Sequence, residues 1–386
     1  MKTAVIGVGN MGGRYAVMLQ EGMIEGMKLA AVTRLREKQK EMLAPSLEKG
    51  LPVYESADAL FEAVEAGKLA LDAVIIATPH YSHSSIAVRA FRSGLNVISD
   101  KPAGVYTRQA REMAEAADRS GCVFGMIFNQ RTLPQYIFLH DLVQSGRYGA
   151  LKRVNWVVTD WYRTNSYYAS GSWRATWKGE GGGVLLNQCP HNLDLLQWIC
   201  GMPASIQAFC REGQFHPIET EDDAVLYMEW ENGASGTFIT STGEAPGVNR
   251  LEISLEEALI ICENGEVRIG ELEPELGCKE AEYRKNAVNP FRRINGTWKT
   301  MKFDKPDNPY RIVLQAFADE IRGSGTCVAD GREGRKSLMI SNAAYYSSWK
   351  EKKVVLPEPG SDAERLFEAE YEALLNEKIQ AAEAGK

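Results

Sequence analysis

Short apolar runs alternate with amphipathic segments through the first third of the chain. The runs are rich in β-branched and small apolar residues and predict buried strands at 2–6, 28–33, 52–54, 72–77, 95–99 and 122–127. The amphipathic segments between them predict helices at 12–21, 34–44, 56–66, 83–93 and 107–120. Strands that alternate with helices in this way build βαβ units, so we expect an α/β fold with a parallel sheet here.

The pattern changes after about residue 128, where longer strands follow a helix. The predicted elements are a helix at 132–145, strands at 151–161, 204–211, 223–231 and 234–241, and a further pair of strands at about 251–269. Asn-Gly turns at 232–233 and 264–265 are typical of hairpins, so this second sheet is expected to be largely antiparallel in an α+β arrangement. Helices at 309–322 and 332–349, a short strand at 354–356 and a helical tail from Ser361 are predicted to follow.

The size and composition of the chain narrow its class. A chain of 386 residues exceeds the size of one typical core, so we expect two domains, at 1–128 and 129–386. Hydrophobic residues make up 44% and charged residues 25%, and no apolar run approaches the roughly 18 residues that a membrane-spanning helix needs. The net charge of −7 disfavours nucleic acid as a partner. A small-molecule partner is therefore expected, with neither membrane nor nucleic acid.

The cysteines and the N-terminus bear on the compartment. The seven cysteines form no C-x-x-C pair and are odd in number, which indicates neither a disulfide framework nor a zinc site. We therefore expect reduced thiols and no metal. The first predicted strand begins within a few residues of Met1, which leaves no room for a cleavable signal, so the cytoplasm is the expected compartment.

A glycine trio follows the first predicted strand directly. Gly7, Gly9 and Gly12 form the pattern G-x-G-x-x-G, with Asn10 and Met11 before the third glycine. In a dinucleotide-binding loop the first glycine allows a tight turn, the second lets the backbone approach a pyrophosphate, and the third lets the helix pack on its strand. Unpaired N–H groups at the helix start then face the phosphates. Because the trio lies between a strand and a helix, we predict that the first domain binds a dinucleotide.

The end of the second predicted strand bears on the choice between NADP and NAD. Chains that bind NAD place an Asp or Glu about 20 residues beyond the glycine loop, where it accepts a hydrogen bond from the ribose 2′-hydroxyl. Here the position reads Thr33-Arg34, and Arg36 and Lys38 follow. A guanidinium pairs with a 2′-phosphate but cannot accept from a hydroxyl. The sequence favours NADP, and NAD is the alternative if Arg34 stacks on the adenine or stays solvated.

Two more predicted strands end in polar residues that should meet at one edge of the sheet. Thr78, Pro79 and His83 follow the fourth strand, and Asp100 and Lys101 follow the fifth. Ligands of open α/β sheets bind at the carboxyl ends of the strands, so these residues are candidates for cofactor binding. His83 can instead cap or pack the next helix, and Lys101 can be a solvated group or can offer a compact positive charge to a substrate oxygen.

Four segments occur in order along the chain: the glycine loop, Ala-Thr-Pro-His-Tyr-Ser-His at 77–83, Asp-Lys-Pro at 100–102, and Gly-Gly-Gly-Val-Leu-Leu-Asn-Gln-Cys-Pro-His-Asn-Leu-Asp at 181–194. As a set they resemble the glucose–fructose oxidoreductase / inositol dehydrogenase / rhizopine catabolism (Gfo/Idh/MocA) family. The resemblance implies a Rossmann nucleotide-binding domain followed by an open antiparallel sheet whose face meets the nicotinamide. It also implies assembly through that sheet as a homodimer or homotetramer.

The resemblance also implies roles for single residues. Lys101 matches a family lysine that lies between a glutamate and a proline, often before a cis bond, and Asp100 replaces the glutamate. His191 matches a histidine that often serves as the proton acceptor. Asn187 stands where many relatives have an aspartate, and an amide can hold a hydroxyl but cannot exchange a proton near neutral pH.

These three residues suit the oxidation of a secondary alcohol. While a hydride leaves for nicotinamide C4, the reaction needs a base for the hydroxyl proton and a stabiliser of alkoxide charge. We expect His191 as the base, since imidazole titrates near neutral pH, Lys101 as the stabiliser, and Asn187 as the group that orients the hydroxyl. From spacing alone, His191 could equally be a satisfied residue at a helix start. Asp194 either tunes His191 or stabilises its own helix.

Polar and aromatic residues before the glycine triplet are expected to select the substrate. Tyr162, Arg163 and Arg174 lie in this stretch. Aromatic faces beside arginines suit a sugar, and two arginines also leave room for an anionic one. The alternative for Trp173 and Trp177 is a contact in the core or between subunits.

Two further segments have open assignments. The glycines at 181–183 either let the backbone approach the substrate closely or form a mobile loop. Asn129, Gln130 and Arg131 are placed to reach the cofactor or the substrate. For Arg131 the alternative is a structural ion pair.

Together these features predict an NAD(P)-dependent oxidoreductase that moves a hydride between a nicotinamide cofactor and a secondary hydroxyl of a sugar, cyclitol or sugar derivative. An alternative resembles the family's NAD-dependent glycoside hydrolases, which oxidise C3, eliminate the anomeric group, add water and re-reduce. That route needs a second base, for which Tyr162, Tyr168 and Lys101 are candidates. A third class, a dinucleotide-sensing regulator, would leave Lys101 and His191 without a task.

Overall fold

Two β-sheets organise the molecule, which a computed structural model describes over residues 1–35, 37–273 and 279–384. Sheet A has six strands and sheet B has nine. Arg36, considered above for cofactor binding, and Cys278, one of the seven cysteines, lie outside the described residues.

Sheet A is built from the buried apolar runs of the first third of the chain. Its strands are β1 (Lys2–Ile6), β2 (Lys28–Thr33), β3 (Val53–Tyr54), β4 (Ala73–Ile76), β5 (Asn96–Ser99) and β6 (Phe124–Met126). All of them pair in parallel, in the order β3-β2-β1-β4-β5-β6. The parallel α/β prediction is confirmed. The strand order reverses between β1 and β4, and ligands of such sheets bind at the carboxyl ends of the strands beside that point.

Six helices connect these strands. They are α1 (Asn10–Gln20), α2 (Glu37–Met42), α3 (Ala44–Leu47), α4 (Ala57–Glu65), α5 (His83–Arg92) and α6 (Thr107–Ser120). Of the helix predicted at 34–44, the structure forms the shorter α2, and a second short helix, α3, begins at Ala44 with Pro45 in its first turn, where the missing N–H costs nothing. Ser56 caps α4, since its hydroxyl accepts from the Ala59 N–H at 3.1 Å.

Sheet B contains the longer strands of the second part. They are β7 (Leu151–Val158), β8 (Ser205–Glu212), β9 (Glu221–Glu229), β10 (Ser235–Ser241), β11 (Asn249–Leu255), β12 (Ala258–Glu263), β13 (Glu266–Leu272), β14 (Gly296–Lys302) and β15 (Val354–Val355). Their order is β14-β13-β12-β11-β7-β10-β9-β8-β15, and only the β7/β10 pair is parallel among the described strands. The largely antiparallel prediction is confirmed.

The predicted strand pair at 251–269 is three strands, and β14 was not predicted at all. Nearly every residue of β14 is exposed, so the strand carries no apolar run that could mark it in the sequence. It lies at the edge of sheet B and pairs only with β13 among the described strands.

Helices cover one side of sheet B and also return to sheet A. They are α7 (Pro134–Gln144), α8 (Asn165–Tyr168), α9 (Pro190–Cys200), α10 (Glu280–Asn286), α11 (Pro309–Ile321), α12 (Gly334–Lys350) and α13 (Asp362–Ala384). Phe317 of α11 packs in one core cluster with Val5 of sheet A. Tyr371 of α13 is fully buried and stacks on Trp349 of α12, so the tail is the docked helix that the sequence predicted. Within the described ranges, every helix is too short or too polar to span a lipid bilayer.

The outer face of sheet B is partly apolar. Phe209, Val225 and Tyr227 are 62%, 36% and 43% exposed. Phe209 and Val225 pair across neighbouring strands, and Ile239 continues their row. Phe209, Val225 and Ile239 thus form an apolar strip across three strands on the side of the sheet away from the core, with Tyr227 beside it.

Candidate functional site

The glycine loop fits the pyrophosphate of a dinucleotide at each of its three glycines. Gly7 has a φ of +92°, which favours glycine, and its N–H donates to the Thr33 hydroxyl at 3.0 Å. A Cβ at Gly12 would lie 2.1 Å from the Gly7 carbonyl oxygen, so only glycine lets α1 pack this close. A Cβ at Gly9 would meet no described atom within 4 Å. Asn10 begins α1, whose first N–H groups have no partner inside the helix and face this open space.

The end of β2 separates two residues that were both assigned to cofactor binding. Thr33 is buried, and its hydroxyl is engaged by the Gly7 N–H, so it closes the glycine loop. Arg34 is exposed, with a φ of +53°, and its backbone N–H donates to the Tyr54 carbonyl at 3.0 Å. Its guanidinium forms no salt bridge with any residue in the described part of the chain. Arg34 is therefore available to a ligand, while Thr33 supports the loop.

His83 begins α5 and connects the loop after β4 to the loop after β5. The ring is buried, with Nδ1 2.8 Å from the Pro102 carbonyl oxygen and Nε2 2.7 Å from the Thr78 carbonyl oxygen. Burial lowers the pKa of His83, and a neutral ring donates to only one of these two oxygens. The contacts support the packing alternative for His83. Pro79 precedes the 3₁₀ turn His80–Ser82 that leads into α5.

Asp100 anchors the loop that carries the lysine. Its carboxylate accepts from the Lys101 N–H at 2.9 Å and from the hydroxyl of Tyr15, on α1, at 3.1 Å. Burial raises the pKa of Asp100, and the charge of Lys101 opposes that rise. The peptide bond between Lys101 and Pro102 is cis, as the resemblance implied.

Lys101, Asn187 and His191 come together where the two sheets meet. The Lys101 Nζ donates to the Asn187 carbonyl oxygen at 2.5 Å, which joins the loop after β5 to the segment before α9. His191 lies in the first turn of α9 and is 8% exposed. Burial, and then the positive charge of Lys101, lower the pKa of His191 well below its usual value. The imidazole is therefore neutral near pH 7 and stands within electrostatic range of the ammonium.

Asp194 does not face His191. Its carboxylate accepts two hydrogen bonds from the Arg131 guanidinium, at 2.6 and 2.7 Å, and Arg131 also donates to Glu333 at 2.8 Å. The Nδ1 of His191 is buried and has no partner among the described residues. Arg131 thus forms the structural ion pair that was one of its two possible roles, and Asp194 is held in that pair.

Asn187 is held from two sides. Its Nδ2 donates to the carboxylate of Glu180, which is 2% exposed, and the other Glu180 oxygen accepts from the Ala175 N–H at 2.6 Å. The Glu180 carbonyl lies 3.0 Å from Nδ1 of His80. Neither Glu180 nor His80 could be predicted from the sequence, because a lone Glu before a glycine triplet gives no spacing signal and His80 shares its motif with His83.

The residues expected to select the substrate differ in their surroundings. Tyr162 is 51% exposed. The guanidinium groups of Arg163 and Arg174 lie 5.0 and 4.6 Å from the centre of the Tyr167 ring. Over the described ranges, neither arginine forms a salt bridge with a carboxylate. Two positive charges therefore flank one aromatic ring beside the catalytic candidates.

The two tryptophans of this stretch have different roles. Trp177 is 2% exposed and packs edge-on against Tyr345, so it belongs to the core. Trp173 is half-buried, and its ring centre lies 6.4 Å from that of His80. Only Trp173 remains a candidate for substrate contact.

The glycine triplet at 181–183 packs closely against protein. A Cβ on any of the three would overlap neighbouring atoms: 2.2 Å from Val105 Cγ1 at Gly181, 2.3 Å from the Tyr345 hydroxyl oxygen at Gly182, and 1.9 Å from the Glu221 carbonyl oxygen at Gly183. The glycines thus allow this segment to lie close to α12 and β9, which fixes the start of the Asn187 segment.

The Arg174–Thr176 segment forms part of the wall of a cavity of about 640 Å³. Tyr168, Arg174 and His216 are among the residues that line it. The Tyr168 hydroxyl is 2.8 Å from the Thr242 hydroxyl, and burial raises the pKa of Tyr168 to about 12. Because Ala175 both lines the cavity and bonds to Glu180, the cavity adjoins the catalytic candidates.

Comparison with known proteins identifies the family. Residues 1–128 match a family model described as an oxidoreductase family with an NAD-binding Rossmann fold, and residues 136–261 match the GFO/IDH/MocA C-terminal domain. One relative is D-glucoside 3-dehydrogenase of Escherichia coli, which is 25% identical over 83% of this chain and 88% of that protein. Another is myo-inositol 2-dehydrogenase of Thermotoga maritima, which is 22% identical over 93% of this chain and 99% of that protein. The structure of WlbA dehydrogenase from Bordetella pertussis with NADH and UDP-GlcNAcA has the same fold, with a TM-score of 0.73 at 24% identity, covering 93% and 99% of the two chains. The chain belongs to the Gfo/Idh/MocA family of oxidoreductases and carries its NAD-binding Rossmann fold.

Proposed function

We propose that this protein is an NAD(P)-dependent dehydrogenase or reductase that moves a hydride between nicotinamide C4 and a carbon bearing a secondary hydroxyl of a sugar, cyclitol or sugar derivative. The observation that carries the proposal is the meeting of the Lys101 ammonium and a neutral His191 imidazole at the carboxyl edge of sheet A. The activities named for the glucoside and inositol relatives support the substrate class.

The side chains divide the work of the reaction between them. The bound cofactor supplies the hydride acceptor. His191 takes the hydroxyl proton at Nε2, because its Nδ1 is buried, and the lowered pKa keeps the ring neutral, with its one proton on Nδ1 and Nε2 free to accept. Lys101 places its positive charge beside the developing alkoxide, and the Asn187 carbonyl holds the ammonium in position. In the reductive direction the same groups act in reverse.

NADP is the preferred cofactor in this proposal. Arg34 supports it, because an exposed guanidinium at the end of β2 has no carboxylate partner over the described part of the chain. A 2′-phosphate offers such a partner, whereas the 2′-hydroxyl of NAD does not.

The substrate is proposed to carry an anionic group. Arg163 and Arg174 stack on Tyr167 without a carboxylate partner in the described ranges, so their charges are available to a ligand. The adjoining cavity of about 640 Å³ gives room for a substituent larger than a hydroxyl group. UDP-GlcNAcA, bound to the related WlbA structure, is an acidic sugar nucleotide of this general kind.

The glycoside hydrolase alternative needs a second base and has weak support. Of its candidates, Tyr168 has its hydroxyl in a hydrogen bond and a pKa raised to about 12, which disfavours the phenolate. Tyr162 is exposed to solvent. Hydrolysis is therefore an outcome to be tested and is not proposed.

We also propose that residues 1–128 and 129–386 are the two domains and that two or four copies assemble through the apolar strip on the outer face of sheet B. The exposed Val225 and Tyr227 side chains support this, because association removes them from water. Val225→Asp should lower the molecular mass measured by light scattering from an oligomer to a monomer. An unchanged mass would place the interface elsewhere.

The function is tested with the purified protein. Any nucleotide that co-purifies is identified, and the protein is then incubated with a panel of sugars, acidic sugars, cyclitols and aryl glycosides while 340 nm absorbance and aglycone release are followed. Reduced cofactor formed in proportion to product supports the dehydrogenase. Aglycone release with only trace cofactor would replace it with the hydrolase, and an absence of both reactions would contradict the proposal.

A further inference from the structure

Glu180 is a buried carboxylate without a salt-bridge partner among the described residues. Neutral donors satisfy it: the Asn187 Nδ2 on one oxygen and the Ala175 N–H, at 2.6 Å, on the other. Ala175 has a φ of +48°, a backbone conformation that is costly for a residue with a Cβ, and this conformation aims its N–H at the carboxylate. Burying a carboxylate whose hydrogen-bond donors are all neutral, with the charges of Arg174 and Lys101 beyond salt-bridge distance, is unfavourable, so stability by itself does not explain a glutamate here.

The contact fixes which end of the Asn187 amide faces outward. An ionised carboxylate only accepts hydrogen bonds, so the amide must turn its NH₂ group to Glu180. The Oδ1 then points away, and over the described residues it accepts no hydrogen bond. The Asn187 carbonyl is held at the same time by Lys101 Nζ at 2.5 Å. The free Oδ1 is thus an acceptor on a residue whose backbone carbonyl oxygen is held by the ammonium.

We propose that Glu180 is a positioning residue of the active site, which acts through Asn187 by holding the amide so that Oδ1 accepts the hydrogen bond of the reacting substrate hydroxyl. The inference rests on the proposed function, because it assigns Glu180 to the same alcohol-oxidising site. The hydroxyl would be oriented by the Asn187 Oδ1 while His191 removes its proton.

Glu180 also acts on the charge of the site. Burial lowers the pKa of Lys101, and the carboxylates of Asp100 and Glu180 oppose that fall. Burial raises the pKa of Glu180 itself, against the hydrogen bond from Ala175, the charge of Arg174, the hydrogen bond from Asn187 and the charge of Lys101. Loss of the Glu180 charge should therefore lower the pKa of Lys101 further and make the ammonium easier to deprotonate.

The contacts make a specific prediction for Glu180→Gln. A glutamine must keep its oxygen toward the Ala175 N–H, which leaves its NH₂ group facing Asn187. The Asn187 amide then turns over to offer Oδ1 to that NH₂ and presents Nδ2, a donor, to the substrate. E180Q should lower kcat/KM for alcohol oxidation by about 10- to 100-fold, the effect of one lost hydrogen bond to a fixed polar group.

The double variant E180Q/N187D exchanges the two functional groups. The introduced glutamine would donate to one oxygen of the introduced aspartate, and the other oxygen would again accept from the substrate. The negative charge also returns to within reach of Lys101. We therefore expect the double variant to recover kcat/KM to within about fivefold of the wild type, although each single change lowers it. N187D alone puts two carboxylates in contact, so one should hold a proton and shift the acid limb of the pH profile upward.

The experiment measures kcat, KM and their pH dependence for the wild type, E180Q, N187D and E180Q/N187D. Glu231→Gln, at an exposed hairpin turn, is the matched control and should change nothing. Rescue by the double variant, with loss in kcat and not in KM alone, supports the proposal. E180Q with wild-type kinetics and pH profile, or a double variant no more active than E180Q, would overturn it. Should E180Q not fold, the pH profile of N187D tests the proposal instead, because a profile unshifted from that of the wild type would contradict the contact between residues 180 and 187.

A readout without turnover separates this inference from the proposed function. The lysines are methylated with ¹³C-formaldehyde, and the Lys101 signal is assigned by its absence in Lys101→Arg. The titration of that signal should move to lower pH in E180Q and stay in place in E231Q. A wild type that oxidises no alcohol would contradict the function, while an unmoved Lys101 titration would contradict the inference whatever the activity.

Discussion

Replacing Gly9 by alanine adds one methyl group at the point where the glycine loop faces open space. A Cβ there meets no described atom within 4 Å, so the added methyl group has space, although the backbone at φ −93° and ψ −149° lies just outside the broad β region and costs a residue with a Cβ some strain. The free energy of unfolding should therefore fall by only about 1 kcal/mol. The apo protein tolerates the change because the space belongs to the ligand.

The same methyl group should weaken nucleotide binding strongly. It occupies the volume through which a pyrophosphate approaches the first N–H groups of α1. Each charge-assisted hydrogen bond lost is worth about 1.5–3 kcal/mol, so losing one raises the Kd by roughly 10- to 150-fold. Nucleotide affinity and stability are thus expected to separate in Gly9→Ala.

Fluorescence titration with NADPH and NADH, together with thermal unfolding of the apo protein, checks this expectation. Gly12→Ala is the matched control, because its Cβ would lie 2.1 Å from the Gly7 carbonyl oxygen and should reduce stability and binding together. A Kd for Gly9→Ala within twofold of the wild type would mean that the pyrophosphate does not lie at this loop.

Three other changes have definite expected outcomes. Arg34→Asp should shift the ratio of NADPH to NADH affinity toward NADH by tenfold or more, which is about the effect of one lost charge-assisted contact. If titration gives the variant the same affinity ratio as the wild type, Arg34 does not contact the 2′-phosphate. His191→Asn should lower kcat by about a hundredfold or more. The acid limb of wild-type kcat/KM should lie below pH 6.5, because burial and Lys101 lower the pKa of this base, and an acid limb above pH 7 would contradict that assignment. Burial raises the pKa of Glu221 from 4.5 to about 8, so between these pH values the folded state holds a proton that the unfolded state releases, and the free energy of unfolding should fall as the pH rises. Urea unfolding at pH 5 and pH 8 should show a smaller difference for Glu221→Gln than for the wild type, and an unchanged difference for Glu231→Gln.

Much of the fold follows from periodicity because burial leaves a mark in the sequence. The strands of sheet A are buried on both faces and read as apolar runs, so each could be placed to within about two residues. β14 could not, since an exposed edge strand has no such run. The short helix α3, with Pro45 in its first turn, lies at the end of the helix predicted at 34–44, and its four residues are too few for a periodic pattern to mark it.

Only part of the candidate site could be predicted from the sequence. Lys101 and His191 could be singled out because the motifs that contain them are distinctive, and the structure brings them together. The packing of the glycines at 181–183 against protein could not be predicted, since a sequence does not reveal which atoms a small residue faces. Glu180 was missed because its partners, Ala175 and Asn187, are set by the folded path of the segment and not by any regular spacing.

Hydride transfer itself can be followed with an isotope. In the sugar or cyclitol that proves active, the carbon bearing the reacting hydroxyl is labelled with deuterium, and the nicotinamide recovered after turnover is analysed by mass spectrometry and proton NMR at C4. We predict one deuterium on C4 for each molecule of product in the wild type, and transfer slowed by about a hundredfold or more in His191→Asn. Deuterium that stays in the carbohydrate product or is lost to water while product forms would contradict direct transfer to a bound pyridine nucleotide.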